Sequence, residues 1–251
     1  MNPSSISRLF AAACVAAASA AHALPFSDRA SVELFAGGTV GTPGSFRGSF
    51  NSTGEGGTTT YDRLAFDDVY HHDYTAGAEL DYALGEHLST FARVAYSQFG
   101  GTSREIGTFF GGSQGRVPMF ARFGDADSRE LDVGARYAFF SGETWRPFLG
   151  AALGATRMSG TFAVAGAPGD DPATRVDLGR ESTVFEQRVE TGVQYSPMRN
   201  FELRLTAAAS HVGAGRGSDD PNLALLGLDE AQSRVRAHWD YPAELGAVWH
   251  F

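Results

Sequence analysis

Ser210 and His211 are adjacent in the chain, and a serine beside a histidine is a pairing that hydrolases use to activate a nucleophile. The residues around them alternate between apolar and polar types, which indicates a β-strand. Successive side chains of a strand point to opposite faces, so these two groups cannot act on one substrate together. No catalytic residue is therefore assigned here.

Two histidines, His71 and His72, follow the acidic pair Asp67 and Asp68 closely enough to suggest a metal site or a hydrolytic site. Neighbouring residues on a strand face apart, so the two histidines cannot both bind one ion. The chain contains no second motif that would complete either site. We assign no catalytic and no metal-binding residue to this segment.

Acidic residues cluster in three places outside the clearest strand patterns, and oxygen-rich loops can hold Ca²⁺ or Mg²⁺. The clusters are Asp125 with Asp127 and Glu130, Asp170 with Asp171, and Asp219 with Asp220. None has the glycine-containing spacing of a defined calcium loop. They are interpreted as solvated loop acids, divalent cation binding by the loops stays open, and no cofactor is predicted.

Composition excludes several classes of function. The net charge of −9 gives no electrostatic support for a nucleic-acid partner. Cys14 is the only cysteine, and it lies in the N-terminal apolar run described next. If that run is removed, disulfides, cysteine-ligated metals and cysteine nucleophiles are all excluded.

The first 23 residues have the organisation of a secretory signal peptide. Arg8 precedes an apolar, alanine-rich run from Leu9 to Ala21, and Ala21-His22-Ala23 is a cleavage site of the A-x-A type. We predict a signal peptide over residues 1–23 and a β-barrel domain over residues 24–251. A lipoprotein acylated at Cys14 is the alternative, but Ala11 stands where such sites usually have leucine.

Period-two alternation recurs along the rest of the chain and predicts about eight strands. Each is close to the ten residues that a tilted strand needs to cross a bilayer. The predicted strands are Ser31–Val40, Tyr74–Leu84, Leu88–Gln98, Leu131–Phe139, Trp145–Thr156, Thr183–Tyr195, Phe201–His211 and Trp239–Phe251.

The connections alternate between short and long. Three tight turns lie at residues 85–87, 141–144 and 196–200, and four long polar loops lie near residues 41–72, 99–128, 157–182 and 212–234. The first part of the first long loop, from Gly41 to Thr60, is rich in Gly, Ser and Thr and is predicted to be flexible and exposed. This layout is typical of an up-and-down barrel with short turns on one side of a membrane and long loops on the other.

Charge falls on one face of the predicted strands and apolar residues on the other. The charged positions are Glu33, Glu79, Asp81, Arg93, Asp132, Arg136, Glu186, Arg188, Glu190, Glu202, Arg204 and Glu244. A lipid-facing surface requires this segregation, because an arginine at the bilayer midplane costs about 2–4 kcal/mol. In a narrow barrel the acids and arginines are expected to pair and fill the lumen.

Aromatic residues fall at the strand ends, where membrane barrels carry aromatic girdles. The predicted short-turn girdle contains Tyr82, Phe139, Trp145, Tyr195, Phe201, Trp249 and Phe251, and the predicted long-loop girdle contains Tyr74, Tyr96, Phe185 and Trp239.

Phe251 ends a strand whose apolar face also carries Trp249 and Leu245. This ending resembles the terminal signature of outer-membrane proteins, which the barrel assembly machinery recognises. With the signal peptide and the loop layout, the chain resembles the small eight-stranded OmpA/OmpX-like barrel family over residues 30–251. The resemblance implies a location in the outer membrane and partners that include membrane lipid, lipopolysaccharide and the assembly machinery.

Small outer-membrane lipid A deacylases carry His and Ser two residues apart, and omptin-type proteases use Asp and His at the rim of larger barrels. The sequence reproduces neither pattern. We therefore predict a non-enzymatic outer-membrane barrel with a structural or surface-interaction role, exerted through extracellular loops on a ligand that the sequence does not name. The alternatives are a narrow cation-preferring pore, because acids outnumber arginines on the inward face, and a rim-located hydrolase.

Overall fold

The computed structural model describes residues 29–39, 45–47, 49–54, 57–111, 115–140, 142–166, 174–226 and 236–251. Besides strands, these residues form a short helix α1 (Phe66–Val69) and a 3₁₀ helix (Pro221–Leu226). The strands are β1 (Ala30–Thr39), β2 (Ser45–Arg47), β3 (Phe50–Gly54), β4 (Gly57–Tyr61), β5 (Leu64–Ala65), β6 (Tyr70–Ala83), β7 (Leu88–Gly101), β8 (Ser103–Gly111), β9 (Gly115–Phe123), β10 (Ala126–Ala138), β11 (Trp145–Met158), β12 (Thr161–Gly166), β13 (Thr174–Arg180), β14 (Ser182–Met198), β15 (Phe201–Val212), β16 (Arg216–Gly217), β17 (His238–Asp240) and β18 (Pro242–His250). None of the described helices has the length and apolar character needed to cross a membrane.

Eight long strands form a closed antiparallel barrel in the order β1-β6-β7-β10-β11-β14-β15-β18, after which β18 pairs with β1. Ser31 lies opposite His250 at this closure. The short strand β17 continues the line of β18 and pairs with the upper part of β15. Closure leaves no open edge in the barrel wall, which a lipid environment requires.

The period-two alternation predicts the barrel strands correctly, and each of the eight predicted segments overlaps a strand of the barrel. The last predicted segment, Trp239–Phe251, is divided at Tyr241 into β17 and β18. The observed strands differ from the predicted ones mainly because they extend further at the long-loop end. β6 begins at Tyr70 rather than Tyr74, and β10 begins at Ala126 rather than Leu131. The added residues lift the wall above the predicted aromatic girdle.

The long connections are not simple loops in the part of the chain that the structure describes, and this corrects the sequence prediction. Seven strands from them pair in the order β16-β13-β12-β9-β8-β4-β3, and we call this the outer sheet. The segment predicted to be a flexible loop contains β2, β3 and β4, and β4 pairs with β8 of the next connection. Thr-rich strands such as β4 form because β-branched residues suit a pleated sheet.

The outer sheet has an apolar core of its own, separate from the charged barrel lumen. Buried side chains from four of the long connections meet there: Leu64, Val69, Tyr70, Ile106, Ala121, Phe123, Ala163, Ala165, Val176, Leu178 and Leu223. Leu223 comes from the 3₁₀ helix, and the hydroxyl of Tyr61 donates to the Ala224 carbonyl at 3.2 Å. The connections therefore fold together as one layer at the long-loop end.

Candidate functional site

The outer wall of the barrel is covered with exposed large apolar side chains. Leu131, Val133, Leu153, Leu205 and Leu245 are each more than half exposed, between 55% and 60%. A continuous apolar surface of this kind is unusual on a protein that faces water. It suits hydrocarbon, which accepts apolar side chains on every outward position of a strand.

Aromatic rings border this belt at both ends, as predicted. At the short-turn end Trp145 contacts Tyr195 with ring centroids 4.3 Å apart, and Phe201 contacts Trp249 at 5.7 Å. At the long-loop end Tyr74 and Tyr96 lie 6.1 Å apart. The amphipathic rings of Tyr and Trp are favoured at the two interfaces of a bilayer.

The inward face carries every one of the twelve charged residues predicted to point into the lumen. All are at most 4% exposed: Glu33, Glu79, Asp81, Arg93, Asp132, Arg136, Glu186, Arg188, Glu190, Glu202, Arg204 and Glu244. Four of these are arginines, and together they hold most of the acids in ion pairs. We call this set of pairs the lumen network.

Arg136 donates more of the described hydrogen bonds than any other arginine of the lumen network. Its guanidinium donates to Glu190 at 2.5 and 2.9 Å, to Glu79 at 2.8 Å and to Asp81 at 2.9 Å. Arg204 also donates to Glu79, at 2.8 Å, and to Asp81 at 3.1 Å. Charge-assisted, multiply donated bonds of this kind offset the cost of burying the charges.

Arg93 and Arg188 complete the network on the long-loop side. Arg93 holds Glu244 with two hydrogen bonds of 2.9 and 2.6 Å. Arg188 donates to Glu244 at 2.8 Å and to Glu190 at 3.2 Å. Since Glu190 also binds Arg136, the contacts run without a break from one end of the network to the other.

Three phenylalanines lie on the inward face among the arginines, and sequence reasoning missed their role. Phe35, Phe91 and Phe148 are at most 3% exposed. The guanidinium carbon of Arg93 lies 3.8 Å from the Phe35 ring centroid, and that of Arg136 lies 4.6 Å from the Phe91 ring centroid. The rings fill space between the charges and add cation–π attraction. Each phenylalanine lies an even number of residues from an inward charged residue of the same strand. This spacing is the sequence signal that predicts an inward-facing ring.

Glu130 is not a solvated loop acid, and this corrects the interpretation of its cluster. It lies on β10 with the inward parity of Asp132, is partly buried, and accepts a long hydrogen bond from Ser97 at 3.4 Å. With Asp132 and Glu186 it forms a group of three carboxylates, which we call the acidic triad. A second close group, Glu33 with Glu79 and Asp81, is already paired with Arg204.

Ser210 and His211 do not form the reactive pair that their adjacency suggested, and Asp68 near His71 has structural partners. Ser210 is buried on the inward face, whereas His211 contacts the Trp239 ring at 5.1 Å on the other side of the wall. Asp68 accepts from the Ala65 backbone N–H at 3.2 Å and pairs with Arg104. Ala65 immediately precedes α1, and Asp68 is the third residue of the helix. Its carboxylate therefore satisfies the backbone N–H of the N-cap residue, as the acidic residue of a capping box does.

The other predicted loop acids have structural partners where the structure describes them. Asp125 accepts from the Gly101 backbone N–H at 3.0 Å. Asp220 caps the 3₁₀ helix, and the N–H groups of Asp177 and Asn222, each 2.8 Å away, hold the pKa of its carboxyl below the usual value. Asp219 pairs with Arg180. The pair Asp170 and Asp171 lies outside the described residues.

A cavity of about 120 Å³ lies at the short-turn end of the lumen. Arg29, Arg146, Glu202 and His250 are among its lining residues. Glu202 binds Arg146 and lies 3.5 Å from Arg204, so this cavity is bounded by the lumen network. None of its lining residues belongs to the acidic triad.

No family model matches the chain, and no curated protein matches it. Solved structures do. Neisserial surface protein A (NspA) has 14% identity, with 90% of this chain and 98% of that one covered and a TM-score of 0.44. The attachment invasion locus protein Ail of Yersinia pestis has 13% identity, coverage of 89% and 98%, and a TM-score of 0.39. The outer membrane protease OmpT of Escherichia coli has 12% identity, coverage of 91% and 99%, and a TM-score of 0.41.

At such low identities and TM-scores, the fold rests on the geometry of the barrel itself. Its wall is closed and antiparallel, its outer belt is apolar between two aromatic girdles, and its charges are turned inward. This combination is the architecture of the barrels that span bacterial outer membranes. The predicted fold is confirmed, and the chain is a small eight-stranded β-barrel of the outer-membrane kind, with its apolar belt in contact with membrane lipid.

Proposed function

We propose that the protein is a non-enzymatic surface protein whose barrel anchors the outer sheet on the cell exterior. The observation that carries this proposal is the outer sheet itself, since seven strands fold around a core that includes the fully buried Ile106 and Leu178. The lumen below is filled by ion pairs. A folded layer raised above a filled barrel presents a fixed surface to the environment.

Orientation and export belong to the same proposal. The signal peptide would be removed after Ala23, the assembly machinery would insert the barrel, and the short turns would face the periplasm. N-terminal sequencing of protein from outer-membrane fractions tests the cleavage, which we expect to leave Leu24 as the first residue. A chain that begins at an acylated Cys14 would contradict it.

Cysteine labelling tests the orientation cleanly, because Cys14 would be removed with the signal peptide. Ser52→Cys puts a thiol on the exposed face of β3, and Glu86→Cys puts one on an exposed short turn. With a membrane-impermeant maleimide on intact cells, we expect Ser52→Cys to be labelled and Glu86→Cys to be labelled only after lysis. The reverse result would overturn the assignment of the outer sheet to the cell surface.

Exposed aromatic side chains on the outer sheet suggest where a partner would bind. Phe110 on β8 is 46% exposed and Phe120 on β9 is 40% exposed, and Arg116 lies over the Phe110 ring at 5.6 Å. Aromatic residues and arginine are enriched at protein interfaces. We expect cells that express the wild type to attach to a protein-coated surface more than cells that express Phe110→Ser with Phe120→Ser. Equal attachment would exclude these residues as the interaction surface.

The two alternatives are separated by direct assays. A cation-preferring pore is favoured by the excess of acids in the lumen, whereas the lumen network opposes conduction. We expect the purified wild type to give no steady conductance in planar bilayers, and cation-selective steps would support the pore. Release of acyl chains from lipid A, or cleavage of peptides, would support a hydrolase.

A further inference from the structure

The acidic triad is the group of lumen acids with the fewest arginine contacts, a single ion pair of 4.0 Å between Arg93 and Asp132. Glu130 and Asp132 lie on β10 and Glu186 on β14, and one carboxylate oxygen from each lies within 4.8 Å of the others. Asp132 is 1% exposed and Glu186 is 2% exposed. Three carboxylates this close repel one another strongly away from water, so the group is stable only with a bound cation or with bound protons.

The nearby arginines are committed to other acids. Both terminal nitrogens of Arg93 donate to Glu244, and its Nε lies 4.0 Å from Asp132 Oδ2 without forming a hydrogen bond. Arg188 donates to Glu244 and Glu190. Among the described contacts of the triad, the long ion pair between Arg93 and Asp132 is therefore the one that involves an arginine.

Two inward residues of this part of the lumen, Asp132 and Ser210, have buried oxygens without a hydrogen-bond partner. Neither carboxylate oxygen of Asp132 has a hydrogen-bond partner, and neither does the hydroxyl of Ser210 on β15. Ser210 is 3% exposed and lines one cavity together with Glu130 and Glu186. Buried polar atoms normally have partners, so these oxygens are candidates to coordinate a bound ion.

The wall is shaped to bring the two strands of the triad together. β11 lies between β10 and β14, and Gly154 on β11 is paired with Asp132 on one side and with Glu186 on the other. A side chain at this position would overlap Asp132 Oδ1. The glycine therefore leaves the space in which the two carboxylates approach each other across the intervening strand.

We propose that the acidic triad and Ser210 bind one divalent cation, with Ca²⁺ as the preferred ion. Ca²⁺ takes six to eight oxygen ligands in flexible geometry, and carboxylates, a hydroxyl and water molecules supply this set. Mg²⁺ requires a more regular octahedron and is a weaker competitor. The ion ties β10, β14 and β15 together just below the outer sheet and neutralises the upper lumen.

Calcium binding to the refolded wild-type protein in detergent tests the proposal. With radioactive Ca²⁺ in equilibrium dialysis, we expect one ion per folded chain and at least tenfold weaker binding by Asp132→Asn and by Glu186→Gln. Asp127→Asn is the matched control, because Asp127 lies on the same strand outside the triad and pairs with Arg129. The control should bind Ca²⁺ as the wild type does. The heat-dependent shift of the folded barrel in gel electrophoresis shows which variants have folded.

Thermal unfolding separates calcium binding from protonation and covers variants that refold poorly. We expect Ca²⁺ to raise the unfolding temperature of the wild type relative to a chelator, and to have little effect on Glu130→Gln. No stoichiometric binding by the folded wild type, or unchanged binding by the folded triad variants, would overturn the proposal. The proposal would also be overturned if Ca²⁺ did not change the unfolding temperature of the wild type and the triad variants were more stable than the wild type. That result would indicate that the triad holds protons instead of an ion.

Discussion

Arg204 and Leu205 are neighbours on β15 but lie on opposite sides of the barrel wall. Arg204 is 3% exposed and bound to lumen acids, whereas Leu205 is 55% exposed on the apolar belt. Leu205 lies near the middle of a strand that runs from Phe201 at one girdle to His211 beside Trp239 at the other. One step along the chain therefore separates the charged lumen from the apolar belt.

Leu205→Arg should destabilise the barrel in lipid by about 2–4 kcal/mol, because the charge would lie near the bilayer midplane. Leu205→Ala is the matched control, since it removes the same side chain without adding a charge and should cost much less. Urea titrations in liposomes measure both. Equal losses for the two variants would show that Leu205 does not face hydrocarbon.

Arg204→Met should also destabilise the protein, by about 3–5 kcal/mol, through loss of the charge that compensates buried acids. Glu33, Glu79 and Asp81 would lose a shared donor. Arg146→Met is the comparison, because Arg146 is 24% exposed at the side chain and binds Glu202 at the edge of the network. We expect Arg146→Met to lower the free energy of unfolding by less than Arg204→Met in the same titration. An equal decrease for the two variants would argue against a central role for Arg204.

Arg129 and Arg157 are neighbours on the outward face at the long-loop end, where Arg157 also pairs with Glu181 and Arg129 lies 4.0 Å from Asp127. They lie opposite each other on β10 and β11, and Arg129 is also opposite Tyr96 of the outer girdle. Phosphate groups of lipopolysaccharide are suitable partners at this level. Replacing both with Gln should weaken binding of purified lipopolysaccharide by the folded protein several-fold, measured by co-migration in native gels. Unchanged binding would exclude the pair, and Arg175→Gln on the outer sheet serves as the control.

Ile106→Ala should loosen the outer sheet and leave the barrel intact. Ile106 is 1% exposed in the outer core, and large-to-small changes at such positions cost about 2–5 kcal/mol. We expect faster proteolysis at the long-loop end with no change in the heat-dependent gel shift of the barrel. Leu225→Ala, at a 44% exposed position of the 3₁₀ helix, should leave the digestion rate unchanged. Loss of the gel shift in Ile106→Ala would show that the two layers unfold together.

The barrel could be predicted from the sequence because a strand in lipid must separate its two faces completely. On β15 the alternation of Leu203 and Leu205 with Glu202 and Arg204 gives both the strand and its register. The outer sheet could not be predicted in the same way. Its strands face water on one side, so a Gly- and Thr-rich segment such as β4 shows no strong alternation.

The acidic triad was missed for a different reason. Glu130 was grouped with Asp125 and Asp127 because they are close in sequence, although it has the same parity as Asp132. Parity along β10 was the signal that could have placed it in the lumen. The approach of Glu186 depends on the pairing of β11 with β14, and no property of a single strand contains that information.

The pairing of Ser31 with His250 joins residues from the two ends of the described chain. Contacts between residues so far apart in sequence have a large entropic cost of loop closure. Folding is therefore expected to be slower than that of helical proteins. Before the last strand pairs with the first, both edges of the sheet have open backbone groups that hydrocarbon cannot satisfy. Independent strands therefore cannot enter the bilayer one at a time, and the joining of β1 to β18 satisfies the last open backbone groups of the wall.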